Sequence, residues 1–282
     1  FSHIYDECYV DNIGNVIVKK KGKTDTSLML ISHMDEIGFM VTFIDERGFI
    51  YFDKIGGIAP DIIPGLMLKI HNRNKAVYGV IGIPIWNRDK GLECQFGDLW
   101  LDIGAKSREE AMNLVSIGDY ISFVPTFEVL NNHAISSKSL DNRVGVYILS
   151  KVMKDIASLD LDKTIYAVFS TKEEIGCIGA TVAVNNLKPT ECIVIDATHA
   201  TDYPTSLIKT KGDIKINNGV AIGVGADTSV YVSNKLIQLA TEHSLDYQRE
   251  PIPRNSYTEA NVIQNSSIGI KTGILSVPCR YM

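Results

Sequence analysis

The chain has 282 residues, 28 Lys and Arg against 33 Asp and Glu, a formal net charge of −5 and 45% hydrophobic residues. That is a globular composition, long enough for one large domain or two of ordinary size. It has no basic run to grip phosphate backbones and no apolar run near the roughly 18 residues of a membrane span, so nucleic acid and membrane are set aside as partners.

The chain opens on Phe1-Ser2-His3 and stops at Pro278-Cys279-Arg280-Tyr281-Met282, just after an apolar run. The native protein is expected to continue past both of these ends. Residues 10–20 read as strand around a turn at Asn12–Asn15, and residues 28–32 as a short buried strand. From about 41 to 124 short β-like runs (49–52, 66–70, 77–81, 99–103, 120–124) alternate with Gly, Pro and Asn turns. One helix fits among them, capped by Ser107 with Glu109 and Glu110 in its first turn. Residues 140–157 are helical, with Val144, Ile148, Val152 and Ile156 at spacing four. Strands are predicted at 164–169, 192–195 and within 268–277, and a helix at 232–243. Gly223-x-Gly225 reads as a turn, lacking the strand–glycine–helix context of a phosphate loop. Strands alternating with helices predict an α/β domain, residues 1–43 plus 130–282, interrupted by a β-rich insert at 44–129.

Three apolar runs finish in residues suited to metals: His33 and Asp35, then Glu173 and Glu174, then Asp196. In open α/β sheets the ligand crevice lies beyond the carboxyl ends of strands about 5 Å apart, where such residues can converge. Asp141, at the start of a helix, fits the same set. Each has a plainer explanation: a satisfied polar His, an N-cap for Asp141, a solvated helix start for the glutamates, a turn for Asp196. Taken together, these like charges have a reason if a divalent cation neutralises them. The pattern leaves both readings open. It also suits two ions, one carboxylate bridging them, and a neighbouring glutamate free to take a proton from water. The five cysteines (Cys8, Cys94, Cys177, Cys192, Cys279) include no C-x-x-C pair and read as reduced thiols in a cytoplasmic protein. Cys177 and Cys279 read as small buried hydrophobes.

These residues stand in Ser32-His33-Met34-Asp35-Glu36-Ile37-Gly38, Lys138-Ser139-Leu140-Asp141-Asn142-Arg143-Val144-Gly145, Lys172-Glu173-Glu174-Ile175-Gly176-Cys177-Ile178-Gly179-Ala180 and Ile195-Asp196-Ala197-Thr198. With Val277-Pro278-Cys279-Arg280-Tyr281-Met282, and with Ile63-Pro64-Gly65 and Leu101-Asp102-Ile103-Gly104 in the insert, the chain resembles the dinuclear metallo-aminopeptidases of the TET, FrvX and glutamyl-aminopeptidase type. The resemblance implies a zinc-exopeptidase-like mixed sheet flanked by helices. It implies two divalent ions per subunit, zinc or cobalt. His33 and Asp196 would hold one, Asp141 would bridge, and Glu174 would hold the second with a further His expected directly after Met282. Glu173 would be the general base and Asp35 would orient His33. Ser256-Tyr257-Thr258-Glu259-Ala260 departs from the family's Gly-Thr-Asp-Ala, which makes Tyr257 and Glu259 candidates for the substrate pocket; His199 is a candidate for its rim. The implied reaction is removal of the N-terminal residue of short peptides, by a homo-oligomer of dimers up to a dodecameric shell built through the insert. Phe49, Tyr51, Ile58, Ile62 and Ile63 are candidate interface residues. The rival readings are an amide deacetylase, a sugar-acting hydrolase (some members carry an endoglucanase label) and an inactive scaffold.

Overall fold

A computed structural model describes residues 5–72, 75–84, 94–266 and 269–282. Residues 1–3, and Ile268 at the start of one predicted strand, lie outside them. The chain divides into two units, Phe1–Asp35 with Leu140–Met282, and Glu36–Ser139. The boundaries differ from the predicted 43/44 and 129/130. The strand at 38–44 belongs to the insert's barrel, and a hairpin at 127–137 belongs to the insert as well.

The first unit is built on an eight-stranded sheet. Its strands are β1 (Glu7–Val10), β2 (Val16–Lys20), β3 (Ser27–His33), β12 (Thr164–Ser170), β13 (Glu191–His199), β14 (Val220–Gly225), β15 (Tyr247–Ile252) and β16 (Lys271–Cys279), in the spatial order β1-β2-β12-β3-β13-β16-β14-β15. The four central strands β12, β3, β13 and β16 are parallel, so their carboxyl ends share one edge. β2 and β14 flank them antiparallel. The Gly223-x-Gly225 stretch is strand β14 rather than a turn, and Gly223 gives room there to the side chains of Ile252 and Ile274.

Period-two alternation splits the sheet residues between two apolar layers. On one face Met29, Ile31, Val168, Cys192, Val194 and Ile274 are buried against two helices, α3 (Ile178–Leu187) and α6 (Ala260–Gln264), with α4 (Ile208–Lys211) and α5 (Val230–Glu242) between them in the chain. On the other, Leu30, Ala167, Phe169 and Ile195 pack against Leu149 and Met153 of α2 (Leu140–Ile156). The layer facing α3 and α6 ends at the shared carboxyl edge in His33 and Asp196, which continue the faces of Ile31 and Val194.

The second unit is a closed barrel of β4 (Gly38–Ile44), β5 (Ile50–Ile55), β6 (Met67–His71), β7 (Ala76–Gly82), β8 (Trp100–Asp102) and β9 (Tyr120–Phe123), in the order β4-β5-β8-β7-β6-β9. Phe39 fills it, its ring 5.2 Å from that of Phe52 and 5.4 Å from that of Phe123. A bulge after Val41 turns Phe43 outward and returns Ile44 to the interior. Helix α1 (Arg108–Met112) starts where predicted, with Ser107 accepting from the Glu110 N–H at 3.2 Å. Strands β10 (Phe127–Leu130) and β11 (Ala134–Ser137) form a separate hairpin. Of the five candidate interface residues Ile62 is exposed, Phe49 and Tyr51 are half-buried, and Ile58 and Ile63 are core.

One glycine position bears directly on the site. A Cβ on Gly145, in the first turn of α2, would overlap Asn142 Oδ1, Ser32 Oγ and the Ile195 carbonyl. Gly145→Ala is therefore expected to destabilise the protein by about 1–3 kcal/mol through overpacking. Thermal unfolding should show Tm lower by roughly 2–4 °C for each kcal/mol.

Candidate metal centre

Each candidate arrives at the edge by a different local device. His33 is the last residue of β3 and is only 2% exposed. Asp196 lies within β13, 4% exposed, with its Oδ1 accepting the Ala197 N–H at 2.8 Å. Asp141 stands before the regular part of α2. Its backbone is extended (ψ 110), its peptide with Asn142 is cis, and Asn142 is also non-helical. The cap of α2 is thus Asn142 and not Asp141: Asn142 Oδ1 accepts from Gly145 N–H at 3.1 Å while its amide donates to the Ile195 carbonyl at 2.9 Å. Relieved of capping, the Asp141 carboxylate turns to the imidazole. Glu173 and Glu174 do not start a helix either. They sit in a turn after β12, and α3 begins only at Ile178.

His33 is the hub. Its Nε2 lies 3.1 Å from Asp141 Oδ1, 3.7 Å from Asp196 Oδ1 and 3.9 Å from Glu173 Oε2. Two sets of donor atoms fall within 4.8 Å of one another: His33 with Asp141 and Asp196, and His33 with Glu173 and Glu174. The Asp35 carboxylate lies 3.7 Å from His33 Nδ1, and the nearer acceptor for that nitrogen is the Asp35 carbonyl at 3.2 Å. The carboxylate acts mainly as a backbone clamp. Its Oδ1 accepts from Glu173 N–H at 3.1 Å and its Oδ2 from Glu174 N–H at 3.2 Å. Sequence reasoning assigned Asp35 to His33; the clamp on the glutamates is the additional finding.

The charges record their crowding. Burial raises the Glu173 carboxyl to about 7, with Asp196 and Asp141 adding to the rise and His33 opposing it. Burial raises Glu174 to about 8, with Asp141 the next contributor. Burial also lifts Asp196 above the usual carboxylate range. Burial would lower His33, but its bonds to Asp141, Asp196 and Asp35 outweigh that and raise it. In Asp35 the burial penalty is likewise outweighed, by His33 and the two N–H groups, and its pKa falls. One borderline nitrogen among hard oxygens, with carboxyls held above their ordinary range by burial and by one another, is a donor set that fits a divalent cation.

The remaining candidates fall elsewhere. Glu259 is 0% exposed, accepts a hydrogen bond from the Ser170 hydroxyl, and leaves Oε2 without a partner among the described residues. Burial raises it to about 8. It lies beneath the surface a substrate would touch. Tyr257, at φ 58, is 80% exposed on the loop before α6. His199 is exposed at the end of β13, its pKa lowered by partial burial and by Lys211. Asn142, Ser170 and Gly145 were not singled out by sequence reasoning. The Asn142 role had a signal, since Asn is as good a cap as Asp and stands three residues before Gly145.

The comparisons with known proteins agree on one relationship. The family model for M42 glutamyl aminopeptidase matches residues 14–282. A lysyl aminopeptidase of Pyrococcus furiosus is 33% identical over 99% of this chain and 81% of its own length. An aminopeptidase of Desulfurococcus kamchatkensis superposes with a TM-score of 0.92 at 28% identity, covering 99% of this chain and 79% of that one. The Pyrococcus horikoshii TET1 peptidase, described as able to assemble into a tetrahedron or a large octahedral shell, superposes with a TM-score of 0.86 at 31% identity, covering 98% of this chain and 82% of that one.

The raised carboxyls make a pH test available. Glu173 and Glu174 ordinarily titrate at 4.5 and here at about 7 and about 8. Between those values the folded metal-free protein holds protons that the unfolded chain has lost. Its stability should fall as pH rises from about 5 to 8. His33, raised above 6.5, pulls in the same direction in the upper part of that window. A cation replacing those protons should remove the fall and release protons at pH 7. Unfolding temperatures of chelator-dialysed and zinc-loaded protein across that range, and zinc calorimetry in two buffers of different ionisation heat, read both effects.

Proposed function

The chain belongs to the M42 glutamyl aminopeptidase family and is a hydrolase acting as an aminopeptidase, and from that premise we propose that it removes the N-terminal residue of short peptides at a dinuclear metal centre. The carrying observation is the meeting of His33 with Asp141 and Asp196, and of the same imidazole with Glu173 and Glu174, each set within 4.8 Å. In this reading His33 and Asp196 would hold one ion, Glu174 would hold the other, and Asp141 would be shared between them. Zinc or cobalt bound there would polarise the scissile carbonyl and acidify water.

Glu173 is the general base. Its Oε2 faces the imidazole at 3.9 Å and burial favours its protonated form, so it can accept a proton from the attacking water and return it to the leaving amine. The clamp of Asp35 fixes the backbone N–H groups of Glu173 and Glu174 and so holds each side chain's starting point. Burial of His33 keeps water from the protein side of the centre. An N-terminal amine is cationic and suits the acidic surroundings, which favours exopeptidase over internal cleavage. The shared machinery leaves the preferred residue to groups outside it. The family is described as glutamyl and the Pyrococcus furiosus relative is named lysyl, opposite charges around one fold.

Assembly into homo-oligomers is proposed from the barrel unit, whose Phe43, Ile62, Met67, Tyr78, Val80 and Tyr120 are exposed. A cytoplasmic location is proposed from the free thiols of all five cysteines. Among the described residues no helix is long and apolar enough to cross a membrane.

A panel of aminoacyl arylamides and N-acetylated amino acids tests the reaction. Arylamides should be cleaved, with loss on chelation and recovery with cobalt or zinc, and Glu173→Gln should lower kcat by about 10²- to 10⁴-fold. Cleavage of the acetylated compounds alone would move the assignment to an amide deacetylase. No cleavage with metal bound would leave a scaffold.

A further inference from the structure

The turn that carries the two glutamates closes on its own carbonyls. Gly176 N–H and Cys177 N–H both donate to the Glu173 carbonyl at 2.9 Å, and Ile178 N–H donates to that of Lys172 at 3.1 Å. This geometry leaves Cys177 at φ 55, in the left-handed region where glycine fits at no steric cost. Cys177 is also the N-cap residue of α3, yet its side chain makes no cap hydrogen bond. The thiol points instead at Glu173, donating to Oε1 at an Sγ–O distance of 3.4 Å. The other oxygen of that carboxylate, Oε2, is the one 3.9 Å from His33 Nε2. A carboxylate on a three-bond stem has several rotamers, and here one oxygen is tied while the other faces the centre.

We propose that Cys177 is a positioning residue for the general base: its S–H anchors Glu173 Oε1 and thereby presents Oε2 to the reacting water. The inference rests on Glu173 acting as the base. It gives a reason for a side chain at a backbone position that favours none, and a thiol is a weak donor that steers the carboxylate without tying up its basicity. The competing account is packing, because Cys177 also lies against the apolar layer of α3.

Five variants of the full-length, metal-loaded enzyme separate the two. Cys177→Gly removes the donor while suiting the left-handed backbone, so its unfolding temperature should hold or rise while kcat falls about three- to tenfold, the scale of one hydrogen bond, with KM nearly unchanged. Cys177→Ala should lose a similar factor. Cys177→Ser restores a donor and should return kcat to within about threefold of the parent. In a Glu173→Gln background, Cys177→Gly should cost little further, because the group it positions is gone. The S–H stretching band that disappears in Cys177→Ser should shift in Glu173→Gln. Parental kcat in both Gly and Ala variants overturns the inference. So does a loss that Ser fails to restore, or one that persists in full when Glu173 is replaced. A Glu173→Gln enzyme as active as the parent would overturn the base assignment and this inference with it, and is told apart because the other failures occur with Glu173→Gln inactive.

Discussion

Several carboxyls crowd round one buried imidazole at the edge of a parallel sheet, and much of the first unit serves to keep them there. The crowding follows from topology. β12, β3 and β13 run side by side in the same direction, Ser170 opposite His33 and Ile31 opposite Val194, so whatever ends those strands meets at one place. Without a cation such a cluster is costly: burial first, and the neighbouring carboxylates after it, push Glu173, Glu174 and Asp196 above the usual carboxylate range. An arrangement that is unfavourable as a folding unit and favourable as a cation cage is the common pattern of sites selected for chemistry.

The devices that hold the cluster are mostly uncharged. Asn142 caps α2 and ties it to the Ile195 carbonyl, one residue before Asp196, so a single amide couples two of the carboxylates. Gly145 lets α2 come close enough for that bond. Asp35 clamps two successive N–H groups. The clamp pins two successive backbones to one carboxylate, and both side chains still reach the imidazole, their donor atoms within 4.8 Å of it and of each other.

Legibility in the sequence tracks the range of the interaction concerned. Strands such as Thr164–Ser170 and the helix after Leu140 announce themselves through local periodicity, and the site residues through their places at strand ends. What sequence left hidden depends on contacts over long separations. Asp141 reads as a cap because Asp caps helices; only the bond from Asn142 to Ile195, 53 residues away, shows which of the two neighbours does so. Gly223-x-Gly225 reads as a turn because glycine usually breaks strands, yet it lies in β14, where Ile252 and Ile274 use the space. The insert's true borders depend on the barrel's closure, in which β4 pairs with β9 across some 80 residues of chain. Cys177 reads as a small buried hydrophobe, yet it is only half-buried, and the left-handed turn that aims its thiol cannot be seen in composition or spacing.

Glu259 shows how far the electrostatic constraint reaches. Read as a pocket residue from the sequence, Glu259 instead has its carboxyl fully buried beside Ser170. A further full negative charge there would add to the repulsion above it. Burial and the neighbouring Asp196 and Glu173 push its pKa to about 8, so near neutrality it is mainly a neutral acid, a polar group bonded to Ser170 without a net charge. The Ser170 carbonyl in turn accepts the Met34 N–H at 2.7 Å, next to His33. Without a cation the floor of the site is therefore polar, hydrogen-bonded to the strand ends and mainly uncharged near neutrality; Glu174 is raised to the same value, and what separates the two is that Glu174 stands in a donor set with His33, where a cation would displace its proton, and Glu259 does not.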